Sequence, residues 1–197
     1  MPRPKASERA PYSLDDIVDI AVGEFLTRGY DATSMEHLSR AAGLTKASFY
    51  YHVSGKEELL RLGVGRALDA LFGVLDEPEA VEGPAVERMW HVLHRTADTV
   101  ASRLPEVALL IRVRGNTETE RLALARRRDF DARMTSIVAE AMAEGGIRGD
   151  IEPALVTRLL FGMVNSLVEW YRSGGRLDVV AIATAVRAIV FEGLTPR

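Results

Sequence analysis

The sequence predicts an all-α fold, and three observations lead to that prediction. Apolar residues recur at spacings of three and four along nearly the whole chain, which is the period of one face of a helix. Glycine and proline stand between these periodic segments, where helices commonly begin or end. No stretch shows a convincing strand pattern. We therefore expect helices packed on helices across the 197 residues.

The composition is that of an ordinary globular protein. Hydrophobic residues make up 47% and charged residues 27% of the chain, whose length suits one domain or two small ones. No apolar run approaches the roughly 20 residues that span a membrane, and the polar, basic start MPRPKASERAP does not resemble a secretory signal. The absence of cysteine excludes disulfides and thiolate metal sites. We expect a cytoplasmic protein.

The first helix is predicted between Ser13 and Gly29. Ser13 followed by Asp16 resembles a capping box, and an acidic first turn suits the helix dipole. Gly29 is a typical helix end. The spacing places one apolar face on Leu14, Ile17, Val18, Ala21, Val22 and Phe25.

Three more N-cap patterns follow. Thr33, with Glu36 three residues later, is the predicted cap of a short second helix. Thr45 is the predicted cap of a third short helix, and Ser54 of a long fourth one. These short helices, joined by turns of two to four residues, predict a compact N-terminal unit.

The chain divides after the fourth helix at DEPEAVEGPA, which contains prolines and a glycine. The later helices are predicted at about 85–103, 106–114, 117–144, 153–175 and 178–194, with Pro105 ending the first of them. The predicted organisation is a flexible basic arm at 1–12, a helical unit at 13–58 with a linking helix at 54–76, and a second helical domain at 77–197.

The stretch GLTKASFYYHVSGKEEL gathers aromatic residues in a chain that has few of them. On a helical wheel Phe49 and Val53 share the inner row, whereas Tyr50 and Tyr51 point outward beside Lys46. A Gly-containing turn before this helix gives the helix-turn-helix layout, whose second helix enters the DNA major groove. The spacing alone leaves two interpretations open, a DNA-binding helix or a plain three-helix core with two surface tyrosines.

Residues 14–60 resemble the N-terminal domain of TetR-family transcriptional regulators. The resemblance is carried by RGYDATS, LSRAAGL and TKASFYYHVSGKEEL, and the combined motif is specific. Two positions depart from the common pattern. Ala47 replaces a frequent glycine, and Tyr51–His52 reverses the frequent His-Tyr order, which puts the base preference in doubt.

The resemblance implies a set of DNA-contacting residues. Phosphate contacts are expected from the start of the second helix and of the fourth, and base contacts from the third. The expected residues are Thr33, Ser34, Thr45, Lys46, Ala47, Ser48, Tyr50, Tyr51 and Lys56. Arg3, Lys5 and Arg9 look like an arm that reaches the minor groove, with a solvated tail as the alternative.

The resemblance also implies a homodimer on operator DNA, joined through the last two helices. The segments LVTRLLFGMVNSLVEWY and VVAIATAVRAIVFEGL agree with this, because they are apolar around most of the helix circumference. Burial of both helices within one monomer is the alternative.

A small-molecule pocket among the middle helices is the third implication. Its expected lining is Trp90, His94, Leu110, Arg114, Phe130, Met134, Phe161, Asn165 and Trp170, each of which could instead be ordinary core. The segment LLFGMVNSLVEWYRSGG is similar to regulators that sense acyl-coenzyme A thioesters. The basic run ARRRDFDAR could pair with coenzyme A phosphates, or form a solvated face. We hypothesise an acyl-coenzyme A or bulky apolar effector.

Other functions have less support in the sequence. No catalytic triad order, metal-ligand spacing or glycine-rich phosphate loop is present, and His91 with His94 is a weak metal pattern, so we expect no enzyme, cofactor or metal. The net charge of −3 does not indicate a globally basic DNA binder, so DNA contact must use a local patch. A DNA-binding protein without effector control, or an activator in place of a repressor, stays open.

Overall fold

The computed structural model describes residues 13–194, with side chains to residue 190. This part of the chain contains eleven helices and no strand, which confirms the all-α prediction. The protein divides into two compact units, and the boundary along the chain lies between Gly63 and Val64. The predicted arm with Arg3, Lys5 and Arg9 lies outside the described residues.

The first unit is built from three short helices and the start of a fourth. They are α1 (Leu14–Arg28), α2 (Met35–Ala41), α3 (Lys46–His52) and α4 (Lys56–Leu75). Ser13 and Asp16 form the predicted capping box of α1, and Gly29 ends it with a φ of 85°. A positive φ costs a glycine little, which explains why the helix stops there.

The start of α2 differs from the prediction. Ser34, one residue after the predicted Thr33, is its N-cap, and the reciprocal partner is His37 in place of Glu36. The Thr33 hydroxyl instead donates to the Gly29 carbonyl at 2.7 Å, and the side chain is only 2% exposed. The turn after α1 therefore uses Thr33, which leaves Ser34 to cap the helix.

The core of the first unit joins one face of each short helix. The predicted α1 face is buried from Ile17 to Phe25, whereas Leu14 at its end is 43% exposed. Leu38, Phe49 and Val53 complete the core from α2 and α3. Burial of a side chain such as Phe49, which is 0% exposed, stabilises the fold by about 1.5–3 kcal/mol.

The second unit contains the rest of α4 and seven further helices. They are α5 (Pro78–Val81), α6 (Ala85–Ser102), α7 (Leu104–Arg112), α8 (Glu118–Ala143), α9 (Pro153–Asn165), α10 (Leu167–Trp170) and α11 (Val179–Leu194). The α6 helix packs against α5, α8, α9, α10 and α11 and is the centre of this unit. Within residues 13–194, no helix has both the length and the apolar character needed to cross a membrane.

Three boundaries in this unit differ from prediction. Pro105 lies in the first turn of α7, where its missing N–H is harmless, so the helix begins before it. The segment predicted as one helix at 153–175 stops at Ser166, and α10 ends when Tyr171 becomes extended. The predicted break after α4 holds the short helix α5, which starts at Pro78.

Candidate functional site

The exposed face of α3 carries the residue types expected for a DNA interface. Tyr50 is 44% exposed and Tyr51 87% exposed, whereas their neighbour Phe49 is fully buried. Lys46, Ala47 and Ser48 are also exposed on this short helix. The structure therefore sorts the aromatic run as the helical wheel predicted, with one ring in the core and two at the surface.

The start of α3 is fixed by a local cap. The Thr45 hydroxyl oxygen accepts a hydrogen bond from the Ser48 backbone N–H at 3.1 Å. This bond holds the first turn of the seven-residue helix. Across the described residues no carboxylate pairs with Lys46, so its ammonium group is available to a phosphate or a base edge.

Two residues predicted to contact phosphate, Thr33 and Lys56, donate hydrogen bonds to backbone carbonyls of the protein itself. Thr33 is buried and bonded to Gly29, as described above, so only Ser34 presents a hydroxyl group at the surface here. The Lys56 ammonium donates to the backbone carbonyls of Tyr30 at 3.0 Å, Thr33 at 3.2 Å and Asp31 at 3.4 Å. An ammonium group has three hydrogens, so these bonds account for all of them.

A cavity of about 660 Å³ lies in the second unit, within the size range of small-molecule sites. It is formed by residues of α4, α6, α7, α8 and α9. Its apolar wall includes Leu68, Leu71, Val100, Val107, Leu110, Ile111, Phe130 and Phe161. The Phe130 and Phe161 rings are stacked with their centroids 5.3 Å apart.

Hydroxyl and amide groups interrupt this apolar wall. Thr135 donates to Thr157 at 3.1 Å, and Thr157 donates to the Pro153 carbonyl. Thr96 is only 2% exposed, and no hydrogen-bond partner for its hydroxyl is present in the described part of the chain. A buried hydroxyl without a hydrogen-bond partner destabilises the folded protein, so the Thr96 hydroxyl is a candidate to bond a ligand. Asn165 adds an amide to the wall.

Charged groups also line the cavity. Arg127, Arg128 and Arg158 stand against one carboxylate, Asp131, which gives the lining a net charge of +2 (three positive charges less one negative). Desolvation raises the pKa of Asp131 above its ordinary value, although the nearby charges of Arg127 and Arg158 partly oppose this shift. The cavity thus combines an apolar wall with an excess of positive charge.

The structure brings some of the predicted ligand residues together and separates others. Leu110, Phe130, Phe161 and Asn165 line the cavity as expected. Met134 is 0% exposed and belongs to the core. The remaining four predicted residues lie elsewhere: Arg114 and Trp170 at the surface, and Trp90 and His94 along a different cavity.

The hydroxyl groups of the cavity were missed from the sequence. A threonine on an otherwise apolar helix face carries little signal, because such hydroxyls usually bond their own helix backbone. The basic run ARRRDFDAR did carry a signal, and Arg127, Arg128 and Asp131 from it line the cavity. The predicted 153–175 helix is split, and this explains why Trp170 lies at the surface and not in the cavity. Its ring N–H donates to Ser166 there.

The histidines of α6 lie close to carboxylates. His91 bonds Glu77 at 2.6 Å, and His94 lies 3.7 Å from Asp98. Glu77, Glu79 and His91 place possible metal-ligand atoms within 4.8 Å of one another. Arg95 also donates to both oxygens of Glu77, so this carboxylate of the cluster already belongs to an ion pair.

Family models match both units. The model "Bacterial regulatory proteins, tetR family" covers residues 17–62, and "Tetracyclin repressor-like, C-terminal domain" covers residues 82–194. The chain belongs to the TetR family. It is therefore a DNA-binding transcriptional regulator and not an enzyme, and the helix-turn-helix interpretation of α2 and α3 is confirmed.

Solved TetR-family structures agree with this assignment. The crystal structure of SCO3833, a family member from Streptomyces coelicolor A3, shares 52% identity and superposes with a TM-score of 0.86, covering 94% of this chain and 92% of that one. AibR, solved with isovaleryl coenzyme A and operator DNA, has the same fold, with a TM-score of 0.77 at 24% identity over 89% of this chain and 96% of that one.

Curated relatives are similar over nearly their full length. The HTH-type transcriptional repressor KstR2 of Rhodococcus jostii is 28% identical, with 91% of this chain and 89% of the relative covered. KstR2 of Mycolicibacterium smegmatis is 26% identical, with 92% and 90% covered. These TetR-family relatives are named as repressors.

Proposed function

We propose that this TetR-family regulator is a repressor that binds a palindromic operator as a homodimer and is released by an apolar, anionic effector of the acyl-coenzyme A class. The observation that carries the proposal is the cavity of the second unit. Its apolar wall suits an acyl chain or ring, and its excess of arginines suits phosphate groups. We also propose a cytoplasmic location, because a repressor must reach its operator DNA.

The DNA side of the proposal rests on α3. We assign base contacts to Lys46, Ala47 and Tyr50, because they are exposed on the helix that enters the major groove in this motif. Tyr51, Ser34, Thr45 and Ser48 are assigned to phosphates. Thr33 and Lys56 are left out of this set because the protein itself uses their polar groups.

The homodimer is supported by exposed apolar side chains on the last helices. Leu155 and Leu159 on α9 are 46% and 58% exposed, and Val180 and Ile189 on α11 are 58% and 69% exposed. Exposed apolar side chains on two helices that both pack against α6 favour a protein partner over water. We name these four residues the apolar face. A dimer would place its two copies of α3 about 34–36 Å apart, which is one turn of DNA.

The effector is assigned by the chemistry of the cavity. The stacked Phe130 and Phe161 rings and the surrounding aliphatic side chains would hold the acyl group. The unpaired Thr96 hydroxyl would bond a thioester or ring oxygen. Arg127, Arg128 and Arg158 would attract the negative charges of the coenzyme. AibR shows that a protein of this fold accommodates isovaleryl coenzyme A and operator DNA.

Coupling between effector and DNA is assigned to α4. This helix begins in the first unit at Lys56, and its later residues Leu68 and Leu71 line the cavity. An effector that favours a different position of α4 lowers operator affinity by its differential binding free energy, and by no more than that.

The test is fluorescence anisotropy on the DNA upstream of the protein's own gene, at fixed salt, with short, long and ring-bearing acyl-coenzyme A thioesters. We expect specific binding that an acyl-coenzyme A reverses, whereas free coenzyme A does not. Arg158→Gln should weaken the response, and Arg121→Gln, an exposed arginine paired with Glu118 outside the cavity lining, is the matched control.

Two outcomes would support the alternatives. Operator binding that no thioester changes, together with no heat of binding in calorimetry, would leave a DNA-binding regulator without this kind of effector control. Operator binding that raises transcription in a reporter assay would make the protein an activator.

A further inference from the structure

We propose that the second unit holds another ligand site that binds a small carboxylic acid with an apolar ring or chain. This site is separate from the cavity of about 660 Å³ described for the effector, the effector cavity. The site is a cavity of about 440 Å³ formed by α6, α9, α10 and α11. Its floor is apolar and consists of Leu93, Ala97, Met163, Val164, Leu167 and Ile182. Among the described residues, none lines both this cavity and the effector cavity.

An unpaired donor is built into this site. Trp90 lines the cavity and is only 5% exposed, and within residues 13–194 its ring N–H has no hydrogen-bond acceptor. A buried indole N–H normally finds a partner, because leaving it unsatisfied is costly. A ligand with an oxygen acceptor would supply that partner.

A cation lines the same cavity. The Arg187 guanidinium lies over the face of the Trp90 ring, 5.9 Å from the ring centroid. No side-chain carboxylate among the residues with described side chains pairs with it. A carboxylate could therefore pair with Arg187 while an apolar group fills the floor.

The other polar groups of this wall narrow the ligand class. His91 is hydrogen-bonded to Glu77, and the His94 ring lies 3.7 Å from Asp98. Glu87 adds a negative charge to the lining. One arginine against one glutamate favours a monocarboxylate over a dianion or a coenzyme A phosphate. This separates the site from the effector cavity, whose lining carries a net charge of +2.

The experiment uses the full chain with Trp170→Phe. The sequence has two tryptophans, so this variant leaves Trp90 as the single indole N–H signal in a ¹H–¹⁵N spectrum. The probes are phenylacetate, 4-phenylbutyrate and octanoate, each compared with its neutral amide. We expect a saturable downfield shift of the Trp90 N–H signal with at least one acid, and about fivefold weaker binding of its amide.

Two further variants decide the assignment. Adding Arg187→Gln should weaken the acid about tenfold while changing the amide little, whereas adding Arg121→Gln should change neither affinity. No shift with any probe would overturn the proposal. So would equal affinity for acid and amide, or weakening by Arg158→Gln without weakening by Arg187→Gln, which would place the probe in the effector cavity.

Discussion

The ammonium group of Lys56 lies 4.4 Å from the centroid of the Tyr30 ring while it donates to three surrounding backbone carbonyls. These carbonyls belong to the turn between α1 and α2, so a residue at the start of α4 fixes the turn that leads into the helix-turn-helix. A cation over an aromatic face adds to the attraction. Lys56 therefore helps to position the DNA-binding helices through its bonds to the turn.

Replacing Lys56 with methionine should destabilise the protein in the absence of DNA. Hydrogen bonds that involve a charged group contribute about 1.5–3 kcal/mol each when buried, and partial exposure reduces this, so we expect a total loss of about 2 kcal/mol. Urea unfolding followed by circular dichroism measures it. Lys46→Met, which removes an exposed lysine from α3, should leave the unfolding curve unchanged. Unchanged stability of Lys56→Met would instead return Lys56 to the phosphate contacts.

Lys46→Gln should weaken operator binding through the loss of one DNA contact. If Lys46 meets a phosphate, the slope of log affinity against log salt should become shallower by about 1. If it meets a base edge, the loss should be about 1–3 kcal/mol and confined to specific DNA. Anisotropy titrations at several salt concentrations separate these results. Arg28→Gln on α1 is the matched control, because Arg28 is paired with Glu24. An unchanged affinity for Lys46→Gln would mean that this face of α3 does not read DNA.

The sequence was sufficient to predict those helices for which the apolar period and the capping residues indicate the same boundaries. Phe49 and Tyr51 were assigned correctly to core and surface because helical spacing alone decides between inward and outward rows. The internal bonds of Thr33 and Lys56 were not foreseen, since their partners are backbone carbonyls in a turn whose geometry no residue spacing reveals. The cavity was predicted only in part, because helices distant in sequence must converge before a hydroxyl such as that of Thr96 can be recognised as unpaired.

Thr96→Val should raise stability and reduce the effector response. Valine has nearly the shape of threonine without the unpaired hydroxyl, so the unliganded protein should gain about 1 kcal/mol. Thr157→Val is the contrasting variant, because the Thr157 hydroxyl is bonded to Pro153 and Thr135 and its removal should cost about 1 kcal/mol. Thermal unfolding and acyl-coenzyme A titration measure both effects. Destabilisation by Thr96→Val would show that the hydroxyl is satisfied in the free protein.

Leu159→Glu should disrupt the proposed homodimer. Leu159 lies in the apolar face and is 58% exposed in the single chain. A buried, unpaired carboxylate at a dimer interface is strongly unfavourable, so we expect monomers at micromolar concentration. Leu122→Glu is a close control, because Leu122 is 57% exposed on α8 and outside the last two helices. Sedimentation velocity gives the oligomeric state. Dissociation by Leu122→Glu alone would move the interface to α8.

The Glu77 carboxylate should make the stability of the second unit depend on pH in the acidic range. Hydrogen bonds from Arg95 are the largest cause of its lowered pKa, and the bond with His91 adds to them, whereas desolvation opposes both. A carboxyl group whose pKa is lower in the folded state stabilises the protein above its unfolded pKa of about 4.3. That contribution is lost as the pH falls through the folded pKa.

Glu77→Gln should therefore have a lower melting temperature than the parent at pH 6. The difference between the two melting temperatures should become smaller as the pH falls below about 4. Glutamine retains the shape and an acceptor oxygen but cannot carry the negative charge that Arg95 neutralises. Melting temperatures measured in steps between pH 6 and pH 3 test this, with Glu79→Gln on the adjacent α5 as the control that keeps the Arg95 pair. A constant difference between Glu77→Gln and the parent across this range would show that Glu77 acts through shape and neutral hydrogen bonds, and that its charge contributes nothing to folding.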